Sequence, residues 1–217
     1  MSKYNIHYFP PENQMKTARA FYRKFFKPRG NVLDLGCGRG EFLELLQESG
    51  RFGQGVEVNA KLVSICQEKG LKVVEDNAIN FLKKKSEESW DGIFIGHLVE
   101  HLYYEETLDL LGLAAKRLNP GGRLVVVTPN PNFLPGIGEF WSDITHLRPY
   151  SLNGLKSIFT HLGMHIVDCG IDPATRLRTT WKHPLEALIN LFRLFLLRLI
   201  MLNYYNGNEI YITGEKR

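Results

Sequence analysis

From residue 31 onward the chain alternates between short unbroken apolar runs and longer stretches in which apolar residues return every three or four positions. The runs "NVLDLG", "GQGVEVN", "LKVVED", "DGIFIG" and "RLVVVTP" predict strands buried on both faces, because a strand with one wet face would alternate apolar with polar residues. Between them, "GEFLELLQESG", "AKLVSICQEKG", "NAINFLKKKSEE" and "YEETLDLLGLAAKRL" carry the helical period. The first two close on glycine and the last is stopped by "NPGG". Strands alternating with helices predict a parallel sheet covered on both faces, an α/β fold of the Rossmann-like, doubly wound kind. An amino-terminal helix is predicted over "NQMKTARAFYRKFF". After the fifth strand, "SLNGLKSIFTHLG" predicts a helix capped by Ser151 with Gly163 past its end, followed by strands "MHIVDCGI" and "NEIYITGEK". Residues 173–207 interrupt this order as an insertion, and residues 1–217 read as one domain.

Composition changes this picture little. With 217 residues, 44% apolar and 23% charged, the chain has ordinary globular composition and enough length for a sizeable core. The three cysteines, Cys37, Cys66 and Cys169, lack C-x-x-C spacing, which suggests neither a disulfide framework nor a zinc knuckle and fits a reducing cytoplasm. The start, "MSKYNIHYFPPENQ", has no apolar core or small-residue cleavage site of a secretory signal, so a cytoplasmic protein is expected. The formal charge of +4 is unevenly spread. Residues 1–30 hold Lys3, Lys16, Arg19, Arg23, Lys24, Lys27 and Arg29 against the single acid Glu12. Two readings stand: a patch that meets phosphates on a substrate or membrane, or the solvated face of a helix.

The candidate chemistry starts at the first strand-to-helix turn, where Gly36, Gly38 and Gly40 permit close approach of the backbone to a ligand and the next helix offers its N–H groups. A nicotinamide dinucleotide site asks for G-x-G-x-x-G, but Glu41 stands where the last glycine belongs. Asp34, two residues before Gly36, would repel a pyrophosphate and welcome a cation. S-adenosylmethionine, with an ammonium, a sulfonium and no phosphate, is such a ligand.

"VLDLGCGRG" resembles the first motif of class I S-adenosylmethionine-dependent methyltransferases, D-x-G-x-G-x-G led by Asp34. The resemblance implies that Asp34, Gly36, Cys37, Gly38 and Gly40 hold the methionine part of that cofactor. It places Glu57, with Val58 beside it, at the ribose hydroxyls. Asn77 and Ala78 fall at the adenine edge, where the family often has Asp-Ala, and His97 completes the pocket. It also implies a seven-stranded sheet whose last strand runs antiparallel. Together "GCGRGEFLELL", "EHL", "LNPGG", "TPNP" and "FWSDITHLRPYS" are similar to methyltransferases of glycan modification, including the methyltransferase domain of O-antigen chain-terminating enzymes. The resemblance spans residues 17–170 and does not reach 173–207.

Methyl transfer needs an acceptor atom held in line with the methyl carbon and a route for its proton. After the fourth strand, "GHLVEHL" supplies His97, Glu100 and His101; after the fifth, "SDITHLRP" supplies Asp143, His146 and Arg148. In one reading His146 or His101 is a general base, with Glu100 or Asp143 orienting the ring. In another, His97, Glu100, His101 and His146 hold a divalent metal, since E-x-x-E-H at this place resembles metal-dependent RNA-terminal and quinone-precursor O-methyltransferases. In a third, Glu100 and His101 only cap the loop. The [DNS]-P-P-[YFW] signature of enzymes that methylate amino groups of DNA bases is replaced by Gly96-His97-Leu98-Val99, which favours an oxygen acceptor and leaves nucleic acid an unexpected partner. A saccharide or sugar-linked acceptor is the first expectation, with an RNA end or small aromatic hydroxyl as the alternative. A membrane-associated module without catalysis and an NAD-dependent oxidoreductase remain as further alternatives.

The stretch "HPLEALINLFRLFLLRLIMLNYY", His183 to Tyr205, is too interrupted by Arg193 and Arg198 to predict a membrane span. A helix so apolar wants a partner: the interface of a membrane, the protein's own core, or a second copy in a homodimer.

Overall fold

The computed structural model describes residues 11–85, 89–174, 188–189, 191–192, 195–196, 199 and 207–217. Seven strands form one sheet in the order β3-β2-β1-β4-β5-β7-β6. β1 (Asn31–Leu35), β2 (Phe52–Glu57), β3 (Val73–Glu75), β4 (Trp90–Gly96) and β5 (Leu118–Pro129) run parallel to one another, while β7 (Glu209–Glu215) lies antiparallel between β5 and β6 (His165–Ile171). The expected seven-stranded sheet with a reversed last strand is what forms.

The unbroken apolar runs are explained by two cores, one on each face. Along β1, β4, β5 and β7, Leu33, Ile93, Ile95, Leu124, Val126, Ile210 and Ile212 point to one side, with α4 (Ala78–Lys84), α5 (Tyr104–Arg117) and α7 (Leu152–His161) over them. Their neighbours Val32, Phe94, Val125, Val127 and Tyr211 point to the other, beneath α2 (Glu41–Glu48) and α3 (Ala60–Glu68). The strand period of two thus feeds both layers with apolar residues.

Several boundaries depart from the sequence expectation. The amino-terminal helix α1 (Glu12–Arg19) tightens into a 3-10 segment over Ala20–Phe25, where Phe21 and Tyr22 stack edge-on against Tyr211 and the Tyr22 hydroxyl donates to buried Asp172 at 2.6 Å. Tertiary packing overrides the local helical period there. A helix that the pattern does not announce, α6 (Leu134–Ser142), follows β5. α7 is capped as predicted, with the Ser151 hydroxyl accepting from the Gly154 N–H at 3.1 Å and Gly163 at φ +70° beyond its end. Of the 173–207 insertion only a few positions lie within the described residues, so the expectation for His183 to Tyr205 as a whole falls outside them. Among the described residues no helix is long and apolar enough to cross a membrane.

The basic amino-terminal stretch is tied into the fold. Lys16 pairs with Glu44 at 2.8 Å and Glu48 at 2.6 Å on α2, and Lys24 lies 3.7 Å from Asp168. Arg19 is buried.

Candidate active site

β1 ends at the centre of the sheet, where the strand order turns outward to β2 on one side and β4 on the other, so its carboxyl end opens a crevice. The loop there takes φ +76°, +57° and +82° at Gly36, Gly38 and Gly40, left-handed values that exclude most side chains. It is held from β2: the Val56 carbonyl accepts from the N–H groups of Gly36 (2.8 Å) and Cys37 (3.2 Å), and Glu57 Oε2 accepts from the Gly38 N–H at 3.0 Å. Glu57 Oε1 accepts from the Asn59 N–H at 2.9 Å. One carboxylate therefore joins both strand ends, and each of its oxygens keeps a second lone pair for a hydroxyl. Cys37 takes part through its backbone. Its thiol is hydrogen-bonded to Cys66 and buried, which pushes its pKa up, and a Cβ on Gly55 would come within 2.6 Å of its sulfur.

Asp34 is 2% exposed. Burial pushes its carboxyl up to about 8, the Arg19 charge partly opposes this, and Glu41 and Glu57 add to it. Glu41 is paired with Arg39 at 2.7 Å, and a cation brought against Asp34 would favour its ionised form.

The adenine side differs from the expectation. Asn77 is exposed and caps α4, its Oδ1 accepting from the N–H groups of Ile79 (2.9 Å) and Asn80 (3.2 Å). With that oxygen engaged twice, it has no lone pair left for an adenine amino group while the cap stands. Asp76 beside it accepts from the Asn77 N–H and pairs with Lys84. Ala78 opens α4, and Val58, 45% exposed, lies at the rim beyond Glu57.

On the acceptor side, β4 ends at Gly96, and His97 takes φ +54° before a 3-10 turn over Val99–His101. Glu100 is fully buried, and its oxygens accept from His97 Nδ1 (3.0 Å) and the Thr128 hydroxyl (3.1 Å). His97 Nε2 meets Glu209 Oε1 at 2.9 Å. A ring between two ionised carboxylates donates from both nitrogens. Burial alone would lower the His97 pKa, but Glu209 and Glu100 raise it to about 9, while burial of Glu209 is outweighed by His97 and Arg19, which hold its carboxyl near 2. His97 so engaged has no lone pair for a metal, which corrects its place in the predicted ligand set.

Glu100, His101 and His146 do come together, with ligand atoms within 4.8 Å of one another. The His101 and His146 rings lie 4.6 Å apart between centroids, and Phe140 of α6 flanks His146 at 4.5 Å. His146 Nδ1 is 2.6 Å from the Phe140 carbonyl, which can only accept, so this nitrogen carries the proton and Nε2 the lone pair. The Asp143 carboxylate is held through Thr145. It accepts from the Thr145 hydroxyl at 2.6 Å, and that oxygen lies 2.9 Å from His101 Nδ1, which therefore donates to it.

Sequence reasoning missed Arg19, Thr128, Thr145 and Glu209. Arg19 carried a signal, for it stands three residues before buried Tyr22 on the aromatic stripe of "ARAFYRKFF". Its guanidinium lies over the Phe94 ring at 5.6 Å, 3.9 Å from Glu209, and Nη1 is buried without a hydrogen-bond acceptor. Glu209, the first residue of a strand, carried none.

Replacing Glu209 by glutamine should lower unfolding stability by about 3 kcal/mol, because it leaves the buried charges of His97 and Arg19 short of a partner. The Glu209 contribution is full above its ordinary value of 4.5 and fades as pH falls toward 2; that of His97 is full below 6.5 and fades as pH rises through 9. Urea unfolding should therefore show a larger gap between parent and variant at pH 5.5 than at pH 10; an equal gap at both would contradict the ion pair.

A cavity of about 630 Å³ lies elsewhere, lined by Asp109, Lys116, Leu162 and Lys216 among others. None of the predicted site residues borders it.

Residues 6–203 match the model of a family described as a methyltransferase domain. Among solved structures, a SAM-dependent methyltransferase from Archaeoglobus fulgidus is 31% identical, with a TM-score of 0.78 over 95% of each chain. The fold alone is shared with the magnesium protoporphyrin IX methyltransferase of Synechocystis, solved with bound SAM (13% identity, TM-score 0.58, 95% of this chain and 78% of that one). It is also shared with the 1,6-didemethyltoxoflavin-N1-methyltransferase of Burkholderia thailandensis, solved with bound 1,6-didemethyltoxoflavin and S-adenosylhomocysteine (16%, 0.63, 94% and 79%). No curated protein matches the sequence. With the strand order, the glycine loop and the match over most of its length agreeing, the chain belongs to the class I S-adenosylmethionine-dependent methyltransferases.

Proposed function

We propose that this methyltransferase alkylates a hydroxyl oxygen on a saccharide or sugar-linked acceptor, with His146 as the general base. The observation that carries the reading is the fixed tautomer of His146, whose Nδ1–H is committed to the Phe140 carbonyl so that Nε2 offers a lone pair. S-adenosylmethionine supplies a methyl carbon on a positively charged sulfur. Asp34 and the glycine loop hold its methionine part, Glu57 the ribose hydroxyls, and the backbone at Ala78 with Val58 the adenine. Arg19 is the cation for its carboxylate, which explains a buried guanidinium with an unmatched N–H beside the loop. His101, oriented through Thr145 by Asp143, steadies the acceptor, and His146 Nε2 takes the hydroxyl proton as the oxygen–carbon bond forms and the carbon–sulfur bond breaks. The sugar acceptor rests on the resemblance of the motifs to glycan-modifying enzymes and is the associational part of the reading. A transfer screen with labelled methyl across glycans, RNA and phenols tests it: label in a sugar O-methyl ether supports the proposal, and label in RNA ends or phenols overturns it.

The gathering of Glu100, His101 and His146 favours a second reading, in which these three hold a divalent ion that acidifies the acceptor hydroxyl. One buried carboxylate and two imidazoles suit a metal of intermediate softness. The two readings differ in one result. With His146 as base, activity survives exhaustive chelation and the purified protein carries less than a molar equivalent of metal; loss of activity on chelation and its return with an added metal would select the second.

A further inference from the structure

We propose that the 188–199 segment docks the enzyme onto an anionic phospholipid bilayer. Its described residues are helical, and Leu188, Phe192, Phe195 and Leu199 are 65%, 61%, 60% and 68% exposed. They recur at steps of four, three and four, the spacing of one helical stripe, and their exposure means that these four are not covered by the described core. A stripe of that kind is completed by a partner.

Charge selects the partner. Residues 173–207 hold 5 of the 27 basic residues, Arg176, Arg178, Lys182, Arg193 and Arg198, and 1 of the 23 acids, Glu186. The entire formal charge of +4 thus falls within this segment, and the rest of the chain is neutral. Two copies meeting through it would set like charges against each other, whereas an anionic leaflet attracts them while the apolar stripe enters the headgroup boundary. Arg193 and Arg198 interrupt the apolar run, which suits a segment lying at one surface of a bilayer.

A second exposed apolar group surrounds the loop that carries His146: Trp141 (57%), Ile144 (75%) and Leu147 (44%), with Ile137 (37%) on α6. Resting on the reading of His146 as the acceptor-side base, this rim fits an acceptor sugar presented on a lipid rather than a free one.

Vesicle flotation tests the proposal. The full-length protein should float with vesicles containing anionic lipid and remain below with purely zwitterionic ones. Arg193→Gln with Arg198→Gln should weaken binding to anionic vesicles roughly 30-fold at low salt, and Phe192→Asp with Phe195→Asp should abolish it. Calorimetry with S-adenosylhomocysteine should give the same affinity for all variants, which separates a docking defect from misfolding or from a wrong assignment of the active site. Equal flotation of parent and variants would overturn the proposal. So would a lipid-free parent that sediments as a dimer and becomes monomeric on Phe192→Asp, since the stripe would then be a subunit contact.

Discussion

Asp34→Asn should make the cofactor-free protein more stable and bind its cofactor at least roughly 30-fold more weakly. The two effects have one cause. Asp34 sits on β1 opposite Gly55 and Phe94, away from water, and its folded-state value near 8 lies far above the 3.8 of the unfolded chain. Between those values the folded protein keeps a proton that the unfolded chain gives up, so stability falls as pH rises from about 4 to about 8. Each unit of that difference corresponds to about 1.4 kcal/mol. Asparagine has nearly the same shape, carries no titratable proton and removes this slope, so melting temperatures of parent and variant should diverge between pH 5 and 8, the variant being higher. The same substitution removes the carboxyl that, in the proposed site, ionises against the cationic part of the ligand, and calorimetry with S-adenosylmethionine should record the loss. A variant that is both less stable and unchanged in affinity would mean that Asp34 only braces the strand.

His146→Gln should lower kcat by roughly 10² to 10⁴, the usual contribution of a general base, while leaving the affinity for S-adenosylhomocysteine within about twofold. Glutamine can still hydrogen-bond, but its amide cannot accept a proton to form a cation. His146 packs between His101 and Phe140 rather than in either main core, so the melting temperature should move little. The comparison with Thr145→Val is informative, because that change disturbs only the orientation of His101 and should lower kcat less. If His146→Gln retains full kcat, the proton leaves by another route.

Much of the fold was legible because both faces of the sheet are covered, which turns strands into unbroken apolar runs, and because glycines mark the helix ends. The glycine loop was legible for a related reason: left-handed backbone at Gly36, Gly38 and Gly40 leaves a glycine signature that no core strand needs. The hidden parts depend on contacts between distant residues. That Asn77 spends its oxygen on a helix cap, that His97 is clamped by Glu209 from 112 positions away, and that Arg19 turns inward are decided by tertiary packing. Local charge patterning placed Arg19 with its solvated neighbours, and only the aromatic stripe around it hinted otherwise. α6 was obscured by Pro135, Gly136 and Gly138, residues that usually mark a loop.

A protonated, buried Asp34 should give up its proton to receive a cationic cofactor. Titration calorimetry of S-adenosylmethionine at pH 6.5 in buffers of different ionisation enthalpy measures this directly. About one more proton should be released per cofactor bound by the parent than by Asp34→Asn. Identical proton counts for the two proteins would contradict it.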